Sequence, residues 1–482
     1  MNPLIVVRII SFVIFVIGCF MTIPTAIAFM RNEREALYGF LIGLLILFSV
    51  SGILLFTLRK QKARMLSTRD GFLFVTFAWI SASLFGAIPY YASGAIPAFT
   101  DAFFETISGF STTGASILTN IEVLPSSILF WRSLTHWLGG MGIVVLTVAI
   151  LPLLGIGGLQ LIQAEAPGPT VDKISPRITE TAKKLWMLYI GMTIAQTVLL
   201  MLGGLNIFDA LTHTFGTLAT GGFSTRNSSV AAYDSAYIDA VITVFMVMAG
   251  ISFTLHYRLF TGNVKPIFRD IELRTYIAIF AIATIALTGS LYLTTYDSIF
   301  QALRYAGFQA ASILTTTGYA TADYEQWPYL AQIILFILMF VGGCSGSTGG
   351  GIKVIRLVIL LKQALNEMKH LVHPRGIFTL RLGKFTVKKE IAYAVSGFFF
   401  LYIAMVMTVS FIVALSGHDI LTSVTTALAT VGNIGPGFGL IGPSENYAFF
   451  SAPVKWVLSF AMLAGRLELY TVLVLFTRTF WK

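Results

Sequence analysis

Four turns hold the residues of this chain whose types and spacing suggest chemistry: Ser111-Thr112-Thr113-Gly114, Ala219-Thr220-Gly221-Gly222, Thr315-Thr316-Thr317-Gly318 and Thr430-Val431-Gly432-Asn433. They recur at nearly even spacing. None of these side chains is an acid, a base or an activated nucleophile. Such turns offer backbone carbonyl oxygens instead, and carbonyls ringed around one axis can replace the water shell of a cation. Turning carbonyls inward often needs backbone angles open mainly to glycine. Gly114, Gly221, Gly318 and Gly432 are the candidates for that role. Thr112, Thr113, Thr220, Thr316 and Thr317 would add carbonyl and hydroxyl oxygens, and Val431 a carbonyl. The predicted chemistry is selection and conduction of cations.

Elements able to hold four such turns on one axis are legible in the hydropathy. Hydrophobic residues make up 56% of the 482, and charged residues 11%. A soluble domain carries about 25% charged residues, so lipid must solvate much of this surface. A membrane-spanning helix needs about 20 apolar residues. Ten spans are predicted, at 4–30, 36–58, 71–92, 127–154, 184–204, 236–260, 275–296, 327–361, 388–416 and 447–477. The first, with Arg8 and Ala26-Ile27-Ala28, imitates a signal peptide; it is read as a membrane helix. Four short helices, Asp101–Phe110, Phe208–Leu218, Phe300–Leu314 and Asp419–Ala429, precede the turns and are too short to cross. Irregular backbone at membrane depth survives only beside protein or a water-filled cavity. Each short helix and its turn therefore form a re-entrant loop. The C-terminal helix ends then converge on the axis, and their partial negative charge favours a cation.

The fold class predicted is an all-α polytopic membrane protein. It consists of an N-terminal hairpin (1–67) and four helix–pore loop–helix units at 68–179, 180–272, 273–383 and 384–482. The net charge of +10 gathers in segments 59–70, 258–274 and 353–390. Lys and Arg mark cytoplasmic loops, which puts both termini in the cytoplasm. The opposite loops are acidic, with Asp101, Asp209, Asp297, Glu325 and Asp419 among them, and would concentrate cations at the mouth.

A window of glycines, Gly342, Gly343, Gly346, Gly349, Gly350 and Gly351, interrupts the span at 327–361. Glycine inside a helix costs about 1 kcal/mol relative to alanine, so this stretch is expected to be unwound and to act as a gate. It is no phosphate-binding loop: Gly351 is followed by Ile352-Lys353, without the Gly-Lys-Ser/Thr ending. Gly437, Gly439 and Gly442 match a dinucleotide fingerprint but lack a strand before them. Arg466 and Glu468 lie inside the last span, where ionisable groups usually face the protein interior. Two residues apart on a helix, they are not a mutual pair. Arg466 is expected below the filter, impeding cations, and Arg132 is expected to be structural. Cys19 and Cys344 build no disulfide framework or zinc cluster, and His370 and His373 have no cysteine nearby. No nucleophile with its base is found, so an enzyme is not expected.

With these residues in view, the whole chain resembles the Trk/Ktr/HKT superfamily of potassium transporters, in its bacterial Trk-type subgroup. The resemblance rests on the four turns, on His136-Trp137-Leu138-Gly139-Gly140-Met141-Gly142, on Ala164-Glu165-Ala166-Pro167-Gly168-Pro169, and on Gly342–Gly351 with Lys353. It implies K+ as the transported ion, held at Thr112, Thr113, Thr220, Gly221, Thr316, Thr317, Val431 and Gly432. It implies one filter glycine per repeat, a gate loop at Gly342–Gly351, a pore-facing Arg466 and a homodimer with one pore per protomer. It also implies a cytoplasmic nucleotide-binding regulatory subunit, TrkA-like, docked on the basic loops; no organic cofactor is expected in this chain itself. The turns depart from the Thr-Val-Gly-Tyr-Gly filter of tetrameric channels, which implies weaker discrimination against sodium. In related plant transporters serine at the first filter position goes with sodium transport, so Gly114 favours potassium. The expected function is potassium uptake across the bacterial inner membrane. The rival is a sodium- or proton-coupled transporter with alternating access, whose inverted repeats the uniform order of these four does not match.

Overall fold

The computed structural model describes residues 2–61, 67–140, 142, 178–262, 265, 267–383 and 385–482. Lys62, Arg64, Met141 and the segment 164–169 lie outside the described residues, as does the end of the predicted span 127–154. Among the described residues, six helical segments are long and apolar enough to cross a membrane: Pro3–Met30, Arg34–Thr57, Thr68–Ala92, Ala182–Leu202, Ile271–Thr294 and Lys389–Leu415. The first two form the N-terminal hairpin and pack against each other. The other four each open one unit of the same order: long helix, short helix, turn, returning helix.

The returning helices differ from the continuous spans predicted. Ala236–Ala249 bends by 102° into Phe253–Phe260, and Ala452–Arg466 bends by 113° into Tyr470–Phe476. The third stops at Leu338 and resumes only at Val354, across the glycine window. The first is helical over Ser126–Gly140.

The short helices span Phe99–Phe110, Ile207–Leu218, Ile299–Leu314 and Ile420–Val431, within two residues of expectation at each end. Their starts follow from capping. Asn206 accepts the Asp209 N–H at 2.9 Å, and Asp419 accepts that of Thr422 at 2.9 Å. Such caps satisfy a helix-start donor that otherwise has no partner. The hydrogen bonds of Asp419 hold its carboxyl below the usual range, with the Thr422 hydroxyl the largest cause.

Packing links the short helices from unit to unit. The first lies against Ser126–Gly140 and, across the junction, against Ala452–Arg466 of the fourth unit. The second lies against Ser126–Gly140 of the first, and the third against Ala236–Ala249 of the second. Ion pairs follow the same order: Lys455 to Asp101 at 2.7 Å and Arg304 to Asp239 at 2.7 Å. The turn of the N-terminal hairpin also serves the first unit. Glu33 accepts the N–H groups of Ser126 and Ser127 at 2.9 and 3.0 Å, capping that returning helix from a distance.

Candidate functional site: a four-part carbonyl ring and the loop beneath it

Each short helix ends the same way. The cap residues are Ser111, Ala219, Thr315 and Gly432, all right-handed. The next residues, Thr112, Thr220, Thr316 and Asn433, have φ of +56°, +55°, +61° and +54°. The N–H two past each cap then reaches back to the helix: Thr113 to Ser108, Gly221 to Gly216, Thr317 to Ser312 and Ile434 to Ala429, at 2.8–2.9 Å. This is a Schellman ending, which normally places glycine in the left-handed position. The left-handed conformation costs a non-glycine residue roughly 1–2 kcal/mol, and a β-branched residue there is a genuine outlier. Three threonines hold it here. Strain of this kind persists where surrounding structure imposes it, and clusters at functional sites.

Four more left-handed positions follow, now all glycine: Gly114, Gly222, Gly318 and Gly435, with φ of +82°, +79°, +82° and +93°. Each abuts a carbonyl of the next unit. A Cβ on Gly114 would lie 2.2 Å from the oxygen of Gly221, and one on Gly222 would lie 2.0 Å from that of Thr317. On Gly318 it would lie 2.1 Å from the oxygen of Ile434, and on Gly435 2.7 Å from that of Thr113. The contacts run from first to second, second to third, third to fourth and fourth to first. Four backbone segments therefore close on one another, and no side chain fits at the junctions.

This geometry shifts the sequence alignment in two units. The glycines equivalent to Gly114 and Gly318 are Gly222 and Gly435, where Gly221 and Gly432 were expected. Gly221 instead supplies the junction carbonyl, as Thr113 and Thr317 do. Thr430 and Val431 belong to the last turn of their helix, and Gly432 is its cap. Ile434 and Gly435 were missed altogether. The signal that finds them is a left-handed residue, any residue, then glycine: Thr112-Thr113-Gly114, Thr220-Gly221-Gly222, Thr316-Thr317-Gly318 and Asn433-Ile434-Gly435. Asparagine substitutes for threonine at the first place because it tolerates that conformation.

Beneath the ring lies the glycine window, folded as a loop that touches the second, third and fourth units. The Gly350 N–H donates to the Thr316 hydroxyl at 2.6 Å. The Thr348 hydroxyl donates to Leu218 O at 2.9 Å, and the Cys344 N–H to Gly250 O at 2.8 Å. A Cβ on Gly350 would lie 2.4 Å from Gly432 O. Gly346 and Gly351 take φ of +73° and +64°. Lys353 donates back to Gly349 O. Glu272, absent from the sequence reading, holds both flanks: it accepts the N–H of Ser345 at 2.7 Å and of Ile355 at 3.1 Å.

Arg466 reaches across this space from the end of its helix. Its guanidinium donates to Gly139 O at 2.7 Å, Gly140 O at 3.0 Å, Thr348 O at 2.8 Å and the Thr112 hydroxyl at 3.1 Å. One cation thus ties the fourth unit to the loop, to the first returning helix and to the lower edge of the ring. Glu468 pairs with Arg356, not with Arg466, and Arg132 pairs with buried Glu105 at 2.6 Å. Outside the spans, Glu325 accepts the Gly439 N–H at 2.5 Å, and burial pushes its carboxyl up.

A family model, TrkH, described as a cation transport protein, matches residues 37–481. The Trk system potassium uptake protein TrkH of Halomonas elongata is 44% identical over 90% of each chain. That of Salmonella typhimurium is 40% identical over 99% of each, and TrkG of Escherichia coli 37% identical over 98% of this chain and 97% of its own. The crystal structure of the potassium transporter TrkH from Vibrio parahaemolyticus superposes with a TM-score of 0.89 at 36% identity, covering all of both chains. Closed packing of four like units, full-length coverage and identities near 40% agree: this chain is a multi-pass membrane protein, not an enzyme, and belongs to the TrkH family of cation transport proteins.

Proposed function

We propose that this protein takes up potassium across the bacterial inner membrane, with both termini cytoplasmic, by conduction through the ring of Gly114, Gly222, Gly318 and Gly435. The observation that carries this reading is the closed cycle of glycine–carbonyl contacts. Carbonyls of Thr113, Gly221, Thr317 and Ile434 supply four near-equivalent oxygens, and four helix C-termini add negative potential at the same place. Relatives near 40% identity that are potassium uptake proteins support potassium as the ion. The loop Gly342–Gly351 and Arg466 close the path below: the loop presents backbone and the arginine a positive charge where a cation would leave the ring. The chain works as a homodimer, one pore per protomer, and a TrkA-like nucleotide-binding subunit on the basic cytoplasmic loops would move the gate.

Flux into proteoliposomes tests this. Under a set potential, potassium and rubidium are expected to enter saturably and to follow the potential, with sodium and lithium far behind. Potassium entry that requires an imposed proton or sodium gradient would replace conduction by coupled transport.

A further inference from the structure

We infer that Arg132 and His136 are positioning residues that set ion selectivity by clamping the strand leaving the ring in the second unit; this rests on the ring being the filter. The second unit has a distinctive weakness. Its junction carbonyl belongs to Gly221, whereas the equivalent residues are Thr113, Thr317 and Ile434. Those side chains anchor their own backbone. Thr113 bonds the Ser111 hydroxyl at 2.7 Å and receives Asn433 Nδ2 at 2.9 Å, and Thr317 bonds the Thr315 hydroxyl at 2.7 Å. Gly221 has no side chain to do this and is followed by Gly222, so this segment has the most backbone freedom to lose.

The missing anchor comes from the first unit. A Cβ on Gly221 would lie 2.5 Å from Cγ of His136, so the imidazole fills the space a side chain would take. A carbonyl only accepts and an N–H only donates. His136 Nδ1–H therefore donates to Gly109 O at 2.7 Å, and Nε2 accepts from the Phe223 N–H at 3.2 Å. One turn earlier on the same helix face, Arg132 donates to Ser224 O at 2.8 Å. The Phe223 ring meets both: its centroid is 4.0 Å from that of His136 and 3.6 Å from the Arg132 guanidinium carbon. Glu105 fixes Arg132 in turn, and the Tyr319 hydroxyl donates to Phe223 O at 3.2 Å. The residues just after Gly222 are thus gripped at an N–H, two carbonyls and a ring.

The test measures the potassium-to-sodium permeability ratio in proteoliposomes for four variants. His136→Leu is expected to lower the ratio about fivefold, the change expected for one net hydrogen bond. His136→Gln can donate to Gly109 O and accept from Phe223, and is expected to recover most of the ratio. Phe223→Leu keeps the N–H bond but loses the stacked ring, and is expected to lower the ratio about twofold. Gly222→Ser alters the ring itself. If it changes the ratio while His136→Leu lowers flux but leaves the ratio at the wild-type value, the clamp is overturned and the ring stands. If Gly222→Ser also leaves the ratio unchanged, the filter reading fails. If His136→Leu does not fold, Phe223→Leu decides: a wild-type ratio overturns the clamp.

Discussion

The four turns repeat one backbone almost residue for residue, while the four helices that return from them leave in different ways. Above, cap, left-handed residue, junction residue and glycine recur in every unit. Below, one helix bends by 102°, one bends by 113°, one gives way to a loop through residues 339–353, and one ends its described part at Gly140, offering carbonyls to Arg466. Selecting a spherical ion needs oxygens on all sides, and near-equivalent units supply them. Closing a path needs something that crosses the axis, and an object on the axis cannot be repeated four times. The loop comes from the third unit alone and Arg466 from the fourth alone. On the proposed function, selection and gating would therefore be separable by depth.

That separation can be broken experimentally, most strongly at Arg466. Arg466→Ala removes a positive charge from beneath the ring, with the hydrogen bonds to Gly139, Gly140, Thr348 and Thr112 among those it loses. Potassium flux is expected to rise about tenfold, as for an opposing interaction of roughly 1.4 kcal/mol, with the potassium-to-sodium ratio unchanged. A changed ratio in folded protein would mean that the two depths are not independent. Glu272→Gln is milder. The amide still accepts from Ser345 and Ile355, but charge-assisted bonds are about twice as strong as neutral ones. Loosening both flanks of the loop is expected to raise basal flux about threefold, read in the same vesicles. The smallest effect lies at the start of the fourth short helix. Removing the Asp419 cap by Asp419→Ala is expected to cost about 1 kcal/mol of stability and leave selectivity alone. The Asp419 carboxyl is depressed in the folded protein, so its contribution is present above the ordinary aspartate range near 3.9 and lost as pH falls through the folded value. Thermal melting from pH 6 to pH 2 should show the wild-type advantage disappearing at the acid end.

The short helices were readable in advance because each combines a half-length apolar run, a polar or acidic start and a Thr-Gly end. The glycine window was readable because six glycines in ten residues cannot hold a helix cheaply. The register within the turns was not. Propensity argues against threonine in a left-handed position, so Gly221 looked like the counterpart of Gly114, yet Thr220 takes that conformation and moves the glycine to 222. In the fourth unit Thr430-Val431-Gly432 imitates the other turns, but the helix runs on through Val431 and the equivalent triplet starts at Asn433. The bends were hidden as well. Neither Gly250 nor the stretch Arg466–Leu469 carries a proline, and Glu468 and Leu469 adopt φ of +55° and +56° without any local signal. Glu272 serves the loop from more than 70 residues away. Such choices are made by packing between units, which a single chain of letters does not display.

Which glycines form the ring is decided in the fourth unit, which offers a direct test. Gly432 is a right-handed helix cap whose counterparts are Ser111, Ala219 and Thr315. The other units carry a Cβ there; on Gly432 it would lie 2.6 Å from Leu428 O, a strain within its own helix and not at a junction with another unit. Gly435 is left-handed, and its Cβ would press on Thr113 O at 2.7 Å. The measurement is the potassium-to-sodium permeability ratio of Gly432→Ala and Gly435→Ala, side by side in proteoliposomes. The ring described here predicts a near wild-type ratio for Gly432→Ala and a collapse toward non-selective or absent flux for Gly435→Ala. A collapse at Gly432 with selectivity intact at Gly435 would contradict it.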